Sequence, residues 1–75
     1  MAANKVIKSI EAPGGQLCVD IFRRPDDSFG FELYRRDPEE GHGWYQVGYF
    51  ADRQFETQAT AEAAARDAVP WLKVV

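Results

Sequence analysis

Hydrophobic and polar residues alternate most cleanly from Ser28 to Arg36. Phe29, Phe31 and Leu33 fall on one side, and Gly30, Glu32 and Tyr34 on the other. A period of two is the mark of a strand with two unlike faces. Gln16 to Arg24 repeats it, with Leu17, Val19 and Ile21 against Cys18, Asp20 and Phe22. So does Trp44 to Phe50, with Tyr45, Val47 and Tyr49 against Trp44, Gln46, Gly48 and Phe50. Pro25-Asp26-Asp27 turns the chain between the first two of these strands, since Pro fixes φ and Asp can bond its own backbone. The longest turn-rich segment, 37–43, precedes the third. Connections this short imply an antiparallel meander. Lys5 to Ile10 is a candidate extra edge strand, its lysines suited to an edge that must not pair with other chains. The Ala12-Pro13-Gly14-Gly15 turn follows it. Met1 to Asn4 is expected to be a loose start.

After Ala51 to Gln54 the period changes. Thr60 to Val69 is rich in alanine, the best helix former. Thr60 is the preferred N-cap and Thr57 the second candidate, with Glu62 favourable in the first turn. Glu62 and Arg66 stand four apart and can pair. Ala61, Ala64, Ala65 and Ala68 make a small-residue stripe that lets the helix lie close to a sheet. Pro70 ends the helix at Val69, and Trp71 and Leu72 are expected to fold back over the core's edge. The fold class is α+β: one domain over 1–75, a three- or four-stranded antiparallel meander packed on one face by a single C-terminal helix.

The set Leu17, Val19, Ile21, Phe29, Phe31, Leu33, Tyr45, Val47 and Tyr49 contains no charge, so it is the face under the helix. The other face has a polar centre and aromatic ends. A tight hairpin at Pro25 places Asp20 opposite Glu32 and Phe22 beside Gly30, with Gln46 beyond Glu32 and Tyr34 close to Trp44. Like charges directly opposite are destabilising. Phe22, Tyr34, Trp44 and Phe50, with Asp20 and Glu32, form the candidate binding surface for a protein partner or a second copy, because exposed aromatics are enriched in interfaces. The ordinary alternative is that these aromatics cover glycines and strand ends while Lys5 or Lys8 offsets the carboxylates.

Composition narrows the chemistry. Twelve acidic residues against nine basic give a net charge of −3, which argues against non-specific binding to phosphates. Arg23, Arg24, Arg35, Arg36 and Arg53 could still contact nucleic acid, though a solvated charge pattern is the simpler account. With the one cysteine, Cys18, no intrachain disulfide forms, which suits a reducing, cytoplasmic setting. The first fifteen residues lack the apolar run of a signal peptide, and no stretch is long and apolar enough to span a membrane. The loop bearing Asp37, Glu39, Glu40 and His42 reads as a solvated turn rather than a metal site, because adjacent flexible carboxylates give poor coordination geometry. Nothing brings His42 to Cys18, no phosphate-cradling glycine loop occurs, and a flat sheet face offers no pocket to shift a pKa. No enzyme activity and no cofactor is expected.

From Trp44 to Leu72 the chain runs strand, Phe55-Glu56-Thr57, Thr60-Ala61-Glu62-Ala63-Ala64, Ala68, then Trp71-Leu72. This sheet-to-helix entry resembles that of the plant ethylene-response DNA-binding domain, the amino-terminal domains of phage-type integrases, and small bacterial domains with the same element order. The resemblance implies three strands and one helix. In the DNA-binding families the sheet enters the major groove. Here Asp20 and Glu32 stand where those families would place Arg or Trp, so the resemblance extends to fold and not to base contacts.

Overall fold

The computed structural model describes residues 3–37 and 43–74. Its four strands, β1 (Lys5–Glu11), β2 (Leu17–Arg23), β3 (Phe29–Arg36) and β4 (Trp44–Gln46), form one antiparallel sheet in chain order. Helix α1 (Gln58–Ala68) and a 3₁₀ turn (Pro70–Val74) follow. The α+β meander with one C-terminal helix is therefore the fold, and the Lys5 strand belongs to the sheet.

The helix lies on the uncharged face. Val19, Ile21, Phe31, Ala61, Ala65, Val69 and Leu72 form the buried core. Each large apolar side chain among them contributes roughly 1.5–3 kcal/mol by leaving water. Ala61 and Ala65 are fully buried, so α1 approaches β2 and β3 closely along its small-residue stripe. Leu72 folds back and is buried, with Trp71 packed beside it. Glu62 bridges Lys8 of β1 at 2.9 Å and Arg66 at 3.1 Å, tying the edge strand to the helix. Arg66 also donates to the Leu72 carbonyl at 2.8 Å.

Four expectations are corrected. The N-cap is Thr57, not Thr60: Thr57 Oγ1 accepts from the Thr60 amide at 3.1 Å, and Thr60 Oγ1 accepts from the Thr57 amide at 3.3 Å. This reciprocal cap satisfies two amides that a helix start leaves open, and the helix begins three residues earlier than a Thr60 cap implies. Second, Lys8 offsets a helix carboxylate and not the second face. The β1–β2 register shifts between Val6 and Lys8, so Ile7 is an extra residue and alternation reverses there. Third, Tyr45 and Tyr49 stand exposed rather than in the core. Fourth, the strand predicted over 44–50 stops at Gln46.

The exposure of Tyr49 and the early end of β4 share a cause, whereas Tyr45 stays within β4, paired with Arg35. After the Val47 amide bonds the Leu33 carbonyl at 3.0 Å, the chain leaves the sheet and returns at Phe55, which exchanges two backbone hydrogen bonds with Phe29. Residues 48–54 make the excursion between, and Tyr49 takes a positive φ of 57° within it. Phe50 is thereby carried to the core side, its ring 5.0 Å from that of Phe31.

Candidate functional site

On the second face the register is Ser9–Asp20–Glu32 across β1, β2 and β3, and Glu11–Cys18–Tyr34–Gln46 across all four strands. Phe22 pairs with Gly30, and Arg36 with Trp44. Tyr34 therefore faces Gln46, with Trp44 one pair further along.

Asp20 and Glu32 oppose each other but are bonded in opposite directions. Asp20 Oδ1 accepts from Ser9 Oγ at 2.6 Å and from the Cys18 thiol at 3.3 Å. Glu32 is 1% exposed. Its Oε1 accepts from Gln46 Nε2 at 2.8 Å, the Phe50 amide at 2.9 Å and the Ala51 amide at 3.1 Å. Its Oε2 accepts from the Leu33 amide at 2.8 Å. A buried carboxylate is tolerated only when its lone pairs are met in this way. Glu32 therefore anchors the 48–54 excursion and is not available to a ligand. Gly48 permits the anchor: a methyl group there would stand 2.8 Å from Oε2 and 2.6 Å from the Phe50 ring.

Phe22 is also withdrawn from the surface, at 4% exposed. Gly30 has no side chain to hold the ring off, and a methyl group there would lie 2.8 Å from Phe22 Cζ. The Arg24 guanidinium covers the ring 4.9 Å from its centroid. Arg24 donates from Nη1 to the Phe29 carbonyl at 3.0 Å, and from Nη2 to the carbonyls of Ala51 and, at 3.1 Å, Arg53.

Four of the candidate nucleic-acid arginines have partners within the chain. Arg24 is held as described, and Arg53 lies 5.5 Å from the Phe55 ring centroid. Arg36 donates to the Gly15 carbonyl at 2.9 Å and stacks 4.7 Å from the Trp44 ring centroid. Arg23 faces Asp27 at 3.7 Å in an exposed pair. The side chain of Arg35 is exposed, with no hydrogen bond or ion pair to the described residues.

What remains open is a shallow depression of about 460 Å³ lined by Ser9, Glu11, Cys18, Asp20, Tyr34 and Trp44. Trp44 is 38% exposed and Tyr34 half-buried. Burial, with the nearby charge of Asp20 and Glu32, pushes the Tyr34 hydroxyl above its ordinary pKa. Burial and the hydrogen bond to Asp20 push the Cys18 thiol up to about 12, so it stays protonated and is no nucleophile at neutral pH. Of the six binding-surface residues expected from sequence, the structure gathers Asp20, Tyr34 and Trp44 here. Phe22, Glu32 and Phe50 serve the fold. Ser9 and Glu11 join because β1 completes the sheet; alternation along Lys8 to Glu11, beyond the bulge, is the signal that brings them to this face.

Among the described residues no group of three or more His, Cys, Asp or Glu is placed to hold a metal. Glu39, Glu40 and His42 of the acidic loop lie outside the described residues. No described helix is long and apolar enough to cross a membrane. Comparison with family models, with curated proteins and with solved structures found no match.

Proposed function

We propose that this is a non-enzymatic protein-interaction domain whose contact surface is the second face of the sheet, centred on Tyr34 and Trp44. The observation that carries the reading is the depression itself. It presents two aromatic rings beside the carboxylates of Glu11 and Asp20, on a face that no described element covers. Aromatic side chains of this kind supply contact area at little conformational cost. The lone, buried Cys18 suits a reducing, cytoplasmic setting.

The test is partner retention by the immobilised chain, compared with Tyr34→Ala and Trp44→Ala variants checked for folding. A partner held by the parent chain and lost from both variants supports the reading. An unchanged set of retained proteins sinks it. Self-association through the same face is checked by molecular mass across a dilution series, and a monomer at high concentration removes that version.

Nucleic-acid binding through the sheet and its flanking arginines has weaker support. Arg24, Arg36 and Arg53 are engaged within the fold, and the depression carries carboxylates that repel phosphate. Failure to bind short DNA and RNA at low salt dismisses it.

A further inference from the structure

Resting on that reading, we infer that the depression receives an arginine side chain of the partner. Charge complementarity and an exposed aromatic ring favour that occupant. Three acceptor groups on residues that line the depression have no hydrogen-bond partner among the described residues: the Glu11 carboxylate, Asp20 Oδ2 and the Tyr34 hydroxyl oxygen. The protonated Cys18 thiol adds no charge to them.

Neither nearby cation pairs with Glu11 or Asp20. Lys8 is held by Glu62 on the helix side, and Arg36 by the Gly15 carbonyl and the Trp44 ring. The Arg36–Trp44 stack shows within the chain that this indole accepts a guanidinium at contact distance. A guanidinium has five donors in a planar fork, stacks on aromatic rings and is more weakly hydrated than an ammonium. It matches two carboxylates and a phenol beside an indole better than a lysine does. A neutral or acidic side chain would leave Glu11 and Asp20 unmet or opposed.

The experiment is an NMR titration of the whole chain with the blocked tripeptide Ala-Arg-Ala, alongside its Lys, Gln and Glu counterparts. The contact is shallow and exposed, so a dissociation constant of roughly millimolar order is expected. The Arg peptide should shift the amides of Glu11, Asp20 and Tyr34 and the Trp44 indole N–H, and bind about 3-fold or more tightly than the Lys peptide. Glu11→Gln and Asp20→Asn should each weaken it about 3–10-fold, and 0.5 M salt should weaken it further. Glu11 is exposed, so Glu11→Gln keeps the test valid if Asp20→Asn disturbs the sheet.

If the Gln or Glu peptide shifts the same face as strongly, the arginine assignment is overturned while the interaction face stands. If no peptide shifts the face at 20-fold excess over ~1 mM, the arginine assignment also falls. The interaction reading then rests on Tyr34- and Trp44-dependent partner retention, which is measured separately.

Discussion

Glu32 and Arg24 hold the same residue from opposite sides: the Ala51 amide donates to Glu32 Oε1 at 3.1 Å, and the Ala51 carbonyl accepts from Arg24 Nη2. The two side chains clamp the excursion that replaces the end of β4. Removing one partner of a buried charged hydrogen bond costs about 1.5–3 kcal/mol. Glu32→Gln and Arg24→Met should each destabilise by about that much in urea unfolding. Their effects should not add, with a coupling of roughly 1 kcal/mol, because both act on one loop. Strict additivity would show that the clamp does not operate as a unit.

Gly30 and Gly48 should resist even alanine. A methyl group at either meets an aromatic ring closer than 3 Å, and at Gly48 it also meets Glu32 Oε2 at 2.8 Å. Overpacking of this kind costs about 1–3 kcal/mol. Gly48→Ala should be the worse of the two, since it displaces the fully buried Glu32 carboxylate, whereas the Arg24 guanidinium that a methyl at Gly30 meets at 2.8 Å is only half-buried. Thermal melts of the two variants decide the ranking.

Glu62 should make stability depend on acid. Its hydrogen bonds to Lys8 and then Arg66 hold its carboxyl below the ordinary glutamate range. A carboxyl lowered on folding stabilises the native state fully above that range, near pH 4.5, and loses the contribution as pH falls through the folded value. The pair is partly exposed, so the effect is about 0.5–1 kcal/mol. Glu62→Gln should flatten this part of the stability–pH curve and leave the rest unchanged.

Cys18 should be silent to thiol reagents in the native chain. Its raised pKa leaves almost no thiolate at pH 8, and the group is 7% exposed. Reaction with a disulfide reagent at pH 8 should be at least about 100-fold slower than in urea. The same shift predicts that stability falls as pH rises from about 9 towards 12, because the unfolded thiol ionises first.

Much of the sheet was legible in the alternation of Leu17 to Phe22 and Phe29 to Tyr34. That pattern placed Asp20 opposite Glu32 and Phe22 beside Gly30, as the register has them. The end of β4 was not legible. Trp44 to Phe50 keeps a period of two, yet the bonds of Glu32 to the Phe50 and Ala51 amides override the local pattern, and Tyr49 takes a positive φ. The bulge at Ile7 leaves no compositional trace, so composition offers Lys5 or Lys8 alike as a partner for the second face's carboxylates, whereas Lys8 pairs with Glu62. The candidate surface was read as larger and more aromatic than it is. Alternation tells which side a residue points to, and not whether a neighbouring arginine or a glycine gap buries it, as happens to Phe22.

The Leu33 amide, which would donate to the next strand, instead donates to the side chain of its own neighbour, Glu32. A foreign strand approaching β3 beyond Gln46 finds that donor occupied and the excursion 48–54 in its path. The same carboxylate that anchors the loop thus shields this stretch of β3 from templated pairing. Loss of Glu32 would accordingly be felt in solubility on heating as well as in stability.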